Sequence, residues 1–239
     1  MKLILPMAGR GSRFAGSGYE RPKPLILVNG VPMFIRSLDS IKGVAYSDLI
    51  IIALAEHEEA FGISQYIKEF NLPNTKLITL PDVTKGQLCT VMEAKELIDT
   101  EEDMLILSSD TIVFSNLGKE IESKKKECKG LISVAEMPGD RWSFAAIDDT
   151  GRVTQVAEKQ RISPYASTGL YYFSNGKEFV QLSEQMIAHN ETTKGEFYVI
   201  PVYQKLIDKG DYVGISVAKA MWDLGTPDAL GEYLEKFKG

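Results

Sequence analysis

From residue 9 to residue 25 the chain reads GRGSRFAGSGYERPKPL, three arginines and a lysine against one glutamate, interspersed with four glycines. Glycine lets backbone N–H groups turn toward an anion and approach it closely, so a basic, glycine-rich loop is suited to phosphate. Two common phosphate patterns are nevertheless missing. Gly9-Arg10-Gly11-Ser12-Arg13-Phe14 opens like the dinucleotide fingerprint, but Phe14 stands where a third glycine would pack a helix closely. The pattern GxxxxGK[ST] does not occur. The loop instead adds Arg10 and Arg13 to its backbone donors and runs into Arg21-Pro22-Lys23-Pro24, where two prolines stiffen the backbone on either side of the Lys23 ammonium. A second set of candidates is acidic. Ile106-Leu107-Ser108-Ser109-Asp110 is an apolar run closed by a carboxylate, and ligands of open α/β sheets bind beyond the carboxyl ends of the strands. Asp223, shortly before Pro227, suits a turn or a helix cap equally well by itself.

These residues need a frame to hold them. Short β-rich runs at 2–7, 49–54, 76–80 and 104–107 alternate with helical patterns at 34–41, 58–70 and 88–98, which predicts an α/β fold with a mostly parallel sheet flanked by helices. Beyond residue 129 the texture changes to strand-like runs at 130–135, 144–147, 153–157 and 169–173 joined by short turns, which predicts a smaller antiparallel portion. Helices near 198–209 and 227–236 flank a strand around 212–217, and the charged run 120–129 reads as the solvated face of a helix. The chain has 239 residues, 44% of them hydrophobic, enough for one large core. A net charge of −6 argues against a nucleic-acid surface, which needs a broad basic field. The first strand begins at residue 2 without a leader, and no apolar run approaches the roughly 20 residues of a membrane span, so a soluble cytoplasmic protein without a membrane partner is expected. Cys89 and Cys128 lack metal spacing and read as small buried hydrophobes, and His57 and His189 read as surface residues.

The order of these landmarks resembles a known family. Leu5-Pro6-Met7-Ala8-Gly9-Arg10-Gly11-Ser12-Arg13-Phe14 with Pro22-Lys23-Pro24-Leu25 resembles the L-x-x-G-x-G-x-R and PKP signature of the sugar-1-phosphate pyrophosphorylases, nucleotidyltransferases that make nucleotide sugars. Among them it resembles especially a branch associated with bacterial capsule and surface-polysaccharide loci. The resemblance implies one Rossmann-like, GT-A-like domain over 1–239, with a nucleotide-binding portion at 1–129 and an acceptor-binding portion at 130–239. It implies that Leu5, Met7, Ala8, Gly9, Arg10, Gly11, Ser12, Thr84, Gly86 and Gln87 bind the nucleoside triphosphate, and that Arg13 and Lys23 are catalytic. Asp110 and Asp223 stand where the family holds Mg²⁺, an ion that takes one or two carboxylates and completes its shell with phosphate and water. Ser109, Trp142, Glu158, Lys159, Thr168 and Gly169 stand where it binds the sugar phosphate, although Glu158-Lys159 alone is as readily an exposed charge pair.

The implied reaction is attack by an acceptor phosphate oxygen on the α-phosphorus of the triphosphate, with pyrophosphate leaving. Such transfer depends on cations and positioning rather than covalent help, and an acceptor that is already an anion needs no general base. Two departures bear on the acceptor. Gln160 follows Glu158-Lys159 where proline is common, and Trp142-Ser143-Phe144-Ala145 replaces a glycine-centred turn, so a small non-sugar phosphomonoester stays open beside a sugar-1-phosphate. A glycosyltransferase of related fold is disfavoured because Ser108-Ser109-Asp110 lacks the first acid of Asp-x-Asp, and a silent nucleotide sensor because Lys23, Asp110 and Asp223 occur together. The base is left open.

Overall fold

The structure, a computed structural model, describes residues 1–237. Its centre is the strand Lys2–Pro6, buried at every position. A strand covered on both faces must be apolar throughout, and the run Leu3-Ile4-Leu5 meets that demand. Asp48–Leu54 and Met104–Leu107 pair in parallel on either side of it, with Leu3 opposite both Leu49 and Leu105, and Thr75–Leu80 extends the parallel half beyond Asp48–Leu54. Alternation along these strands splits the core. Ile4, Ile50, Ile52 and Ile106 face one layer of helices, while Leu3, Leu5, Leu49, Ile51, Leu105 and Leu107 face the other.

The direction reverses on the other side of Met104–Leu107. Tyr165–Phe173 runs antiparallel to it, with Leu170 opposite Leu107, and also pairs antiparallel with Cys128–Glu136 and with Ser143–Ile147, whose own partner is Val153–Glu158. The expected antiparallel portion is therefore present, with one exception. Tyr212–Val217 joins Cys128–Glu136 in parallel, because the chain returns to the sheet through the helices Gly176–Ala188 and Pro201–Asp208. The result is an α/β fold on one mixed nine-stranded sheet.

Several local expectations are corrected. The helical pattern 58–70 is two helices, Ala55–Phe61 and Ile63–Glu69, because Gly62 at φ 66° ends the first in a left-handed turn. The pattern 88–98 likewise divides into Gln87–Met92 and Lys95–Ile98. The charged run 120–129 is only half helical, since Leu117–Ser123 ends early and the next strand has begun by Cys128. His57 is buried, and burial pushes its imidazole below the ordinary value, whereas His189 is exposed as expected. Cys128 is buried and Cys89 half-buried, both as free thiols. Among the described residues no helix is long and apolar enough to cross a membrane.

Helix Gly176–Ala188 was not anticipated; it starts at an Asn175 cap that accepts the Glu178 N–H at 2.8 Å. Its first residue has to be glycine, because a Cβ there would lie 2.1 Å from the backbone oxygen of Ile98. Gly176→Ala is expected to cost about 1–3 kcal/mol, a fall of about 3–10 °C in melting temperature for a chain of this size. Thermal unfolding followed by circular dichroism checks this, and an unchanged midpoint contradicts it.

Candidate active site

The two distant aspartates meet at the carboxyl edge of the sheet. After Met104–Leu107 the chain turns through Ser109-Asp110 into the strand Thr111–Phe114, which pairs antiparallel with Ala220–Asp223 so that Asp223 stands opposite Thr111. The Leu224 N–H donates to the Asp110 carbonyl at 2.7 Å, and the Gly225 N–H donates to Asp223 Oδ1 at 2.9 Å. The two side chains crowd one point: a Cβ on Gly225 would lie 2.8 Å from Asp223 Oδ1 and 3.1 Å from Asp110 Oδ2. Each carboxylate is met by a basic group, Asp110 Oδ2 by Lys23 Nζ at 2.6 Å and Asp223 Oδ2 by Arg141 Nη2 at 2.7 Å.

Their proton affinities diverge. Burial pushes the Asp110 carboxyl up, but the charge and hydrogen bond of Lys23 outweigh it and hold the group below the ordinary carboxylate value. Asp223 is held above that value, by burial first and by the neighbouring charge of Asp110 second.

Two cavities adjoin this corner. The first, about 530 Å³, is lined by Met7, Ala8, Gly9 and Gly11 on one side and by Thr84, Gly86, Gln87 and Ser109 on the other. The second, about 360 Å³, is lined by Arg13, Arg141, Trp142, Lys159, Lys194 and Asp223 among others. Lys23 and Asp110 line both. In the described structure no backbone hydrogen bond uses the N–H groups of Gly9, Arg10 or Gly11, so the loop beside the first cavity carries free donors. Gly11, at φ 61°, lies so close to Lys23 that a Cβ would come within 2.7 Å of the lysine Cβ. Gly86, at φ 128°, would place a Cβ 2.4 Å from the Phe197 oxygen, and that close approach brings Glu196 and Tyr198 to the wall of the first cavity.

Not every candidate reaches a cavity. Leu5 lies fully buried inside its strand, Ser12 opens the short helix Ser12–Ala15 on the surface, and Arg10 turns to Asp82 at 2.9 Å and Glu56 at 3.4 Å. Arg13 faces the second cavity rather than the first. Glu158 is not among the residues that line the second cavity; its carboxylate accepts from the Ser143 hydroxyl and is pushed upward by burial. Lys159, held at φ 53°, does line it; its ammonium donates to the Tyr198 hydroxyl, which in turn donates to Glu196. Thr168 is buried with its Oγ1 unpartnered, and Gly169 packs against Ser108, where a Cβ would clash at 2.2 Å. Arg141 and Lys194 were not anticipated. Both lie in irregular, exposed segments where no sequence pattern marks them.

The site is thus a sheet-edge acid pair joined to a basic loop between two cavities, and comparison with known proteins gives its class. The nucleotidyl transferase family model matches residues 2–238, and the chain belongs to that family. It is a nucleotidyltransferase, as the sequence led us to expect. It is similar to the nucleoside-diphosphate-sugar pyrophosphorylase of Vibrio cholerae RC9, with a TM-score of 0.84 and 27% identity over 98% of this chain and 99% of that one. It is 24% identical to the UTP–glucose-1-phosphate uridylyltransferase AglF of Haloferax volcanii, over 97% of this chain and 94% of that protein. The bifunctional protein GlmU of Methanocaldococcus jannaschii is 23% identical over 95% of this chain, which spans 52% of GlmU.

The raised Asp223 carboxyl has a consequence for stability. The folded protein holds this proton more tightly than the unfolded chain, so stability falls as pH rises from the ordinary carboxylate value, 3.8, through the raised one, and stays reduced above it. Asp223→Asn removes that loss. In metal-free buffer the variant is expected to melt above the wild type at pH 7, with the advantage fading as the pH falls through the raised value and gone below about 4. Melting curves across pH check this; an advantage that grows toward acid contradicts it.

Proposed function

We propose that this chain transfers the nucleotidyl group of a nucleoside triphosphate to the phosphate of a sugar-1-phosphate, or of another small phosphomonoester, with release of pyrophosphate. The observation that carries this reading is that Lys23 and Asp110 form the common wall of the two cavities, so groups bound in each would meet there. The first cavity, with free loop amides and Gly86-Gln87 opposite, suits the nucleotide. The second suits an anionic acceptor, since Arg13, Lys23, Arg141, Lys159 and Lys194 outnumber its acids Asp110, Asp140 and Asp223. The same geometry supports the division into a nucleotide portion at 1–129 and an acceptor portion at 130–239, with Arg13 reaching the second cavity and Glu196 and Tyr198 the first as exceptions.

Lys23 is placed to neutralise charge on the α-phosphate and the attacking oxygen together. The backbone amides of Gly9 to Gly11 would hold the departing phosphates, and Lys159 the acceptor phosphate. Glu158 then acts from behind Lys159 rather than on the acceptor directly. The donor set fits Mg²⁺: two converging carboxylates with phosphate oxygens from the substrates, and no histidine needed. Bound to Asp110 and Asp223, that ion would withdraw charge from the phosphate oxygens. The names of AglF, a glucose-1-phosphate uridylyltransferase, and of the H. volcanii glycan-biosynthesis nucleotidyltransferase Agl11 support a hexose-1-phosphate acceptor and a place in glycan synthesis. The experiment that tests the reading is pyrophosphate release from each nucleoside triphosphate against a panel of sugar-1-phosphates and small phosphomonoesters.

Three variants probe the site. Lys23→Ala is expected to lower kcat by about 10²–10³, the loss of one preorganised charge-stabilising group; near-normal turnover by the folded variant would remove Lys23 from the reaction. Lys159→Ala is expected to raise KM for the acceptor and lower kcat, and Glu158→Gln to raise mainly the acceptor KM, with triphosphate affinity unchanged in both. Steady-state kinetics with each substrate varied, beside calorimetry of triphosphate binding, separate these effects. Weaker triphosphate binding with unaltered acceptor kinetics contradicts the assignment of the second cavity.

A further inference from the structure

The two carboxylates are each engaged by a basic side chain, and the two basic groups are held very differently. Lys23 opens a short helical turn, Lys23–Leu25, directly after Pro22, and Gly11 packs against its Cβ; its side chain is 25% exposed. Arg141 lies between the strands Cys128–Glu136 and Ser143–Ile147, outside any helix or strand, and its side chain is 51% exposed. Both occupy carboxylate oxygens that a divalent cation would need, and both repel such a cation. Arg141 can leave its partner at smaller cost, because its half-exposed guanidinium has water to return to.

Arg141 also has somewhere to stay. Its Cζ lies 4.2 Å from the centroid of the Trp142 ring, and the Trp142 indole N–H donates to the Pro138 carbonyl at 2.9 Å, which fixes the ring. A guanidinium freed from Asp223 but still stacked on that ring remains in the second cavity beside Lys159 and Lys194. Its planar array of donors is matched to phosphate oxygens better than an ammonium would be.

We propose that Arg141 is the counter-ion of Asp223 in the substrate-free protein, gives up that carboxylate when a divalent cation enters, and then serves as an anion-binding group for the acceptor. The inference rests on Asp110 and Asp223 as the metal ligands. It makes metal and acceptor binding mutually reinforcing, since each favours the same position of one side chain. It also gives Trp142 a defined part: the ring face is taken by Arg141, so the tryptophan positions the guanidinium rather than stacking on the acceptor.

The test is a titration of the substrate-free protein with Mn²⁺, followed by electron paramagnetic resonance, for the wild type, Arg141→Ala and Arg141→Lys. Removing the competing cation is expected to tighten Mn²⁺ binding about fivefold in Arg141→Ala, the upper end for an exposed ion pair, and Arg141→Lys to return the affinity toward the wild-type value. With the acceptor found in the panel above, Arg141→Ala is expected to raise the acceptor KM and leave the triphosphate KM unchanged. Equal or weaker Mn²⁺ binding by Arg141→Ala, with the wild type binding normally, overturns the role of Arg141 alone. No Mn²⁺ binding by any of the three proteins overturns the assignment of the metal ligands and this inference with it.

Discussion

Two carboxylates brought into one partly buried corner repel each other, and most of the architecture around Asp110 and Asp223 answers that repulsion. The corner exists because the ribbon formed by Thr111–Phe114 and Ala220–Asp223 joins chain segments more than a hundred residues apart at a fixed register. Once there, the acids need positive charge, and it comes from two different places: a lysine braced between prolines in the first loop and an arginine from the exposed segment before Ser143–Ile147. The compensation is unequal. Lys23 brings Asp110 below its ordinary proton affinity, while Asp223, though paired with Arg141, stays above its own. A carboxylate held in this state gains from any further positive charge brought to it.

The glycines around the site serve a second constraint, the close approach of loops to one another. Gly11 lets the first loop lie on Lys23, Gly86 lets its turn meet the backbone of Phe197, and Gly169 lets the chain pass over Ser108. At each of these positions the φ angle is positive as well, so an L side chain would be strained even with room available. The sequence suggested phosphate contact for Gly11, and the family resemblance nucleotide contact for Gly86; both line the first cavity. Their more immediate work is steric. They pull the loops that carry the chemistry against one another, so that the donors and charges are fixed before any substrate arrives.

What could be read from the sequence divides along physical lines. The parallel strands were legible because a strand covered on both faces has to be an unbroken apolar run, and Leu3-Ile4-Leu5 and Leu49-Ile50-Ile51-Ile52 can be little else. Helix existence was legible at 34–41, 58–70 and 88–98, though not at Gly176–Ala188; helix ends were not, because the break at Gly62 depends on a left-handed conformation that a glycine permits without requiring. Asp110 could be placed from the end of its strand, whereas Asp223, ambiguous by itself, was placed only by family order, because no local pattern encodes the ribbon pairing that brings it to Asp110. Arg141 and Lys194 were invisible for a related reason: a charged residue in a loop resembles any solvated residue until the fold shows what it faces. Glu158 shows the opposite case, a residue placed by family order whose carboxylate turns to Ser143 and stops short of the cavity.

The alignment between the two halves of the site comes down to one strand pairing. Met104–Leu107 carries Asp110 at its end, and Tyr165–Phe173 lies antiparallel beside it, with Leu170 opposite Leu107 and the Ser108 N–H donating to the Gly169 carbonyl at 3.0 Å. The same long strand pairs at its other end with Ser143–Ile147, next to Trp142, and that strand in turn pairs with Val153–Glu158, which leads into Lys159. Because side chains alternate along a strand, a slip of one residue here would exchange Tyr171 and Tyr172 between the two core layers, so burial on both faces fixes the register. The hydrophobic core thereby sets the spacing between Trp142, Lys159 and the two carboxylates.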